Sequence, residues 1–116
     1  MVGGQREMAA ITIDDSASFA SVLSFNFRPG DVSAMAREVQ GAVEQRGAEQ
    51  EGFIGCVVLV NKEQLHLLVL TLWESGHAWG AAQYDREIGR VVSDVVETAK
   101  SYDVQTYETV TVVRAR

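Results

Sequence analysis

Two runs separated by a short polar turn, Phe53 to Val60 and Leu65 to Trp73, constrain this chain more than any other feature of it. Each is too short for a helix of its own and rich in branched aliphatic residues, so both read as strands, and Asn61-Lys62-Glu63 between them reads as a hairpin turn. A strand with one wet face alternates apolar and polar residues, because successive side chains point to opposite sides of the sheet. These two are apolar at nearly every position. Both faces of the sheet they build must therefore be covered.

The remainder of the chain supplies helices for one face. Phe19 to Phe27 alternates, with Leu23, Phe25 and Phe27 on one side and Val22, Ser24 and Asn26 on the other, and it stops at Arg28-Pro29-Gly30, where Pro removes a ladder donor. Asp31 stands at an N-cap position. Val32, Met35, Ala36, Val39 and Val43 then recur at the spacing of an amphipathic helix, with Gly47 as its stop. After the hairpin, Ser75 is expected to cap a short helix over Gly76 to Gln83. Asp85 caps a second, whose Ile88, Val91, Val92, Val95, Val96 and Ala99 share one face. Tyr102 to Val113 reads as a long last strand.

The order is β-α-β-β-α-β, which predicts an α+β fold of the ferredoxin-like kind, one antiparallel sheet with its helices on one face. With the helices spent on that face, a second copy packing sheet against sheet is the economical cover for the other, and a homodimer is expected. Residues 1–17 read as an N-terminal arm in which Ile11-Thr12-Ile13 has the character of a short extra strand, and residues 18–116 as one domain.

Composition removes several classes of function. Hydrophobic residues make up 47% of the chain, enough apolar surface to offset the entropy of ordering it. Ten Lys and Arg against 16 Asp and Glu give a net charge of -6, and the basic residues are scattered, so the chain repels a phosphate backbone and no nucleic-acid partner is expected. No apolar run approaches the roughly 18 residues that cross a bilayer, and the opening MVGGQREMAA lacks the basic start and apolar stretch of a secretion signal, so no membrane partner is expected. Cys56 is the only cysteine; it cannot form an internal disulfide, which suits the cytoplasm, and in its apolar run it reads as a small hydrophobe. With two histidines and no His-x-x-x-His spacing no metal is expected, and no glycine-rich loop follows a strand to cradle a phosphate.

Two stretches resemble a known family. Glu51-Gly52-Phe53-Ile54-Gly55 is similar to the Pro-Gly-Phe-x-Gly lead-in to the second strand of dimeric α+β barrel proteins, with Glu in place of Pro. Thr71-Leu72-Trp73-Glu74-Ser75-Gly76-His77-Ala78-Trp79 resembles their Trp-Glu-Ser-x-x-Ala-aromatic motif at the end of the third strand. The match is to the antibiotic-biosynthesis-monooxygenase type. The resemblance implies cofactor-independent oxygenation of a hydrophobic polycyclic aromatic substrate by O₂, in an apolar pocket. It also implies that Trp73 is the strand-end tryptophan of the site and that Trp79 takes the place of a ring-bearing residue lining it. Quinone-forming members carry Asn four residues before the tryptophan, where this chain has Val69. The haem-degrading branch carries an iron-binding His about 18 residues after that tryptophan, and Ile88 to Val95 contains none, so no haem is expected.

Strand parity adds to this set. Trp73 shares a side with Leu67, Val69 and Thr71, so Val69 and Thr71 are expected beside it in the substrate pocket, while His66 faces away with Leu68, Leu70 and Leu72, towards the dimer interface. Tyr107 belongs to a polar stripe with Gln105, Thr109 and Thr111, either a solvent-facing edge or part of a pocket lining. Arg90 either pairs with Glu87 or Asp94 on a wet helix face or reaches an anionic substrate. Two functions stand: a cofactor-free monooxygenase with Trp73 as its catalytic residue, and a non-catalytic small-ligand-binding or regulatory dimer on the same scaffold, which Val69 favours. An empty pocket of about 300 Å³ or more around Val69, Trp73 and Trp79 is the size that suits a ligand.

Overall fold

The computed structural model describes residues 17–108, 110, 111, 113 and 115, so the expected strand at Ile11-Thr12-Ile13 lies outside the described residues. Along the chain run β1 (Phe19–Asn26), α1 (Val32–Gln45), a single 3₁₀ turn (Gly47–Glu49), β2 (Phe53–Asn61), β3 (His66–Trp73), α2 (Gly76–Ala82), α3 (Arg86–Thr98) and β4 (Ser101–Tyr107). The strands form one sheet in the order β2-β3-β1-β4, antiparallel at every junction, which is the ferredoxin-like arrangement.

Local chemistry sets most of the boundaries. The hairpin turns where the Asn61 side-chain Oδ1 accepts from the Gln64 backbone N–H at 3.0 Å, and Leu65 takes a left-handed φ of 54° to close it. Ser75 Oγ accepts from Ala78 N at 3.1 Å, and Asp85 Oδ1 accepts from Glu87 N and Ile88 N, each at 3.0 Å, so α2 and α3 start where the sequence places their caps. Asp31 differs. Its backbone is already helical, and its side chain makes no cap bond; α1 starts from the Pro29-Gly30 turn instead. The last strand is also shorter than expected. It ends at Tyr107, opposite Ala20, because β1 begins one residue earlier and has no further backbone to pair with. Val110 instead packs near Ala17, Ala20 and Leu72.

Register divides the sheet into two surfaces. On the helix side Phe25 lies beside Leu67, and Leu23 beside Val69 and Val104. Phe25, Phe27, Leu67 and Val69 meet Val32, Val91 and Val95 in the main core. On the other side Val22, Leu70 and Val57 form one row, and Leu68 and Leu59 the next. Val57 and Leu59 are 36% and 54% exposed, a leucine half in water on a sheet where its core-side neighbours are dry. His66 is also on this open side, bridging Ser24 Oγ at 3.0 Å through Nε2 and Asn26 Oδ1 at 2.9 Å through Nδ1.

Candidate functional site

Above the main core, helices and sheet do not close completely. A cavity of about 210 Å³ lies between the helix-side face of the sheet and the helices. Its floor is β1 and β3 (Ser21, Leu23, Val69, Thr71 and Trp73); α1 contributes Val39 and Val43, α3 Ile88 and Val92, and α2 Trp79 and Ala82. Gln83 and Val104 are the exposed members of the lining, and there the cavity reaches the surface.

Each tryptophan is held by identifiable neighbours. Trp73, 4% exposed, ends β3 on the helix-side parity; its ring meets Phe53 edge-on, centroids 5.3 Å apart at 77°, and its indole N–H donates to Thr71 Oγ1 at 2.9 Å. Trp79 follows the Ser75 cap by about one turn, which swings its ring back beside Phe19, 5.6 Å between centroids. The start of α2 is seated on the lead-in to β2. Glu74 N donates to Gly52 O at 2.8 Å, and Gly52, at φ +81°, lies so close that a Cβ there would fall 2.5 Å from Ala78 Cβ. Only glycine meets both conditions, so the Gly-Phe of one motif and the Trp-Glu-Ser of the other are two halves of one joint.

The lining is electrically quiet. It contains no ionisable side chain; its polar side chains are Ser21, Thr71, Gln83 and the two indoles. Cys56, the cross-strand partner of Thr71 on β2, is pushed up to about 11 by burial and stays a neutral thiol at neutral pH. Asp85, at the α2–α3 junction, accepts from Arg46 Nη2 at 2.6 Å and from Gln50 at 3.2 Å. Those bonds, led by the guanidinium and joined by the Ile88 backbone N–H, hold its carboxyl down to about 2.

Of the residues singled out in the sequence, Val69, Thr71, Trp73 and Trp79 are brought together around the cavity. Tyr107 is not: it pairs with Ala20, whose parity is that of the open face, and is 51% exposed. Arg90 is not either. It lies on the outer side of α3, donating to Glu87 at 2.7 Å and Asp94 at 2.9 Å with Glu38 at 3.8 Å, and these carboxylates account for its charge. The cavity is also about two-thirds of the 300 Å³ expected. Sequence reading passed over Ser21, although a signal was present: it is the one hydroxyl on the β1 side that otherwise carries Leu23 and Phe25.

The structure is thus an antiparallel sheet with helices on one face and an apolar-lined cavity between them. The family model described as antibiotic biosynthesis monooxygenase matches residues 18–92, and the chain belongs to that family. No curated protein matches it. Among solved structures, a conserved protein from Methanosarcina mazei Go1 superimposes with a TM-score of 0.69 at 16% identity, covering 81% of this chain and 95% of that one. A protein from Mycobacterium tuberculosis gives 0.69 at 14%, covering 84% and 100%, and an antibiotic biosynthesis monooxygenase gives 0.68 at 12%, covering 80% and 99%. At these identities the likeness is one of fold. No helix among the described residues is long and apolar enough to cross a membrane.

Proposed function

We propose that this protein oxidises a small hydrophobic aromatic substrate with O₂, without a cofactor, in the cavity between sheet and helices. The observation that carries the reading is the family's tryptophan, Trp73, fixed by Phe53 and Thr71 at the floor of an otherwise apolar cavity. The substrate supplies the electrons. An activated ring methylene takes one oxygen atom of O₂ to become a carbonyl, and its two hydrogens leave with the other as water. The protein excludes bulk water and holds the ring between indoles. Because no lining side chain ionises, the substrate's proton leaves to solvent, and the rate follows the ionisation of the substrate rather than of a protein group. Size narrows the class. An apolar cavity of about 150 Å³ holds benzene, so about 210 Å³ suits one ring or two fused rings, not a larger polycycle.

A second reading is a non-catalytic binder of the same ligands, favoured by the lack of a base in the lining and by Val69 at the position of the family's Asn. Oxygen uptake with small anthrone-like ketones, which carry the activated ring methylene, separates the two. Protein-dependent uptake that falls at least tenfold in Trp73→Phe supports the oxygenase; quenching of tryptophan fluorescence without uptake supports the binder; neither response removes both. On either reading the open sheet face, with Val57 and Leu59 exposed, is covered by a second copy of the chain.

A further inference from the structure

The helix-side face of the sheet is apolar row after row, Phe25 with Leu67 and then Leu23 with Val69, until it reaches Ser21 with Thr71. That row is the only one on this face where β1 and β3 both carry a hydroxyl, and both residues line the cavity. Ser21 is buried, 1% exposed.

The Thr71 hydroxyl has a fixed polarity. An indole N–H can only donate, and Trp73 Nε1 donates to Thr71 Oγ1 at 2.9 Å. The oxygen is thus engaged as an acceptor, and among the described residues its own proton is given to no side-chain acceptor. A hydroxyl that accepts one hydrogen bond becomes a stronger donor in the next. We infer that the Ser21–Thr71 pair recognises one acceptor oxygen at the end of the aromatic ligand, a carbonyl or phenolate oxygen, while the rest of the ring system lies in the apolar part of the cavity. The inference rests on the cavity being the ligand site. It assigns to two hydroxyls the polar contact that Val69 cannot make, and it gives the Trp73–Thr71 bond a task beyond packing: it turns the Thr71 proton towards the ligand.

The test compares 1-tetralone with tetralin, the same bicyclic skeleton with and without the carbonyl, followed through the tryptophan indole N–H signals in NMR titrations of the full chain. Two hydroxyl donors predict binding about tenfold tighter for the ketone. Thr71→Val, which keeps the β-branch of a strand residue, reduces the ketone-over-hydrocarbon preference to threefold or less; Thr71→Ser retains the preference; Ser21→Ala reduces it in part. Equal binding of the two probes by the parent overturns the inference and leaves the cavity reading standing. An undiminished preference in both Thr71→Val and Ser21→Ala also overturns it, and Ser21→Ala decides alone if the valine variant does not fold. Failure of both probes to bind overturns the cavity reading and the inference together.

Discussion

Gly52→Ala is the most exacting perturbation of the joint that positions the site. Two separate costs meet at this residue. A left-handed backbone costs an L side chain about 1–2 kcal/mol, and Gly52 sits at φ +81°. The new methyl would also stand 2.5 Å from Ala78 Cβ, where carbon atoms at rest prefer about 3.5–4.0 Å. Ala78 has no rotamer with which to yield, so relief requires α2 to move as a body, an overpacking cost of about 1–3 kcal/mol. Together these predict a loss of about 2–5 kcal/mol, read as a lower urea midpoint with unchanged slope, and a fall in Tm of at least about 8 °C for a domain of this size. The clash can be removed on its own. Ala78→Gly alone costs about 0.5–1 kcal/mol as a glycine in a helix, but in the double variant it restores the overpacking share, about 1–3 kcal/mol, and leaves the backbone share in place. A Gly52→Ala protein within 0.5 kcal/mol of the parent, or a double-mutant cycle with a coupling energy below about 0.5 kcal/mol between the two sites, refutes the reasoning.

The acid limb of stability carries the signature of Asp85. Its folded pKa lies at about 2, below its ordinary value, so its contribution is complete above the unfolded carboxylate pKa and is lost as pH falls from about 4 towards 2; Asp85→Asn, which keeps an acceptor at the cap, flattens the stability–pH curve over that window and leaves its shape above pH 5 unchanged. For the open sheet face, Leu59→Glu puts a charge on its most exposed leucine and is expected to shift a dimer to monomer in sedimentation velocity while the far-ultraviolet circular dichroism of the fold persists. A parent that sediments as a monomer at tens of micromolar removes the dimer proposal.

How far the site could be read in the sequence follows from how local each determinant is. Strand parity is a property of the backbone repeat, so placing Val69, Thr71 and Trp73 on one side and His66 on the other needs no tertiary information. The caps of α2 and α3 are equally local, since Ser75 and Asp85 bond to N–H groups two or three residues away. Asp31 shows where that logic ends: the residue type suits a cap, but a preceding turn had already brought its backbone into the helix. Arg90 was open between two partners four or fewer residues away and a distant ligand, and the nearby carboxylates hold it.

The sequence by itself determined the α+β order, the two-faced apolarity of the central hairpin and the side of β3 that Val69, Thr71 and Trp73 share, because periods of 2 and 3.6 and short-range caps are written in the spacing of residues. Only the tertiary structure decided that β4 ends at Tyr107 and carries its ring to the open face, since that depends on where β1 runs out of backbone to pair with. Only it brought Ser21 opposite Thr71, 50 residues apart in the chain, and packed Ala78 onto Gly52. The volume of the cavity belongs to the same class: about 210 Å³ is the space left between a sheet and three helices once their side chains have packed, and no local pattern contains it.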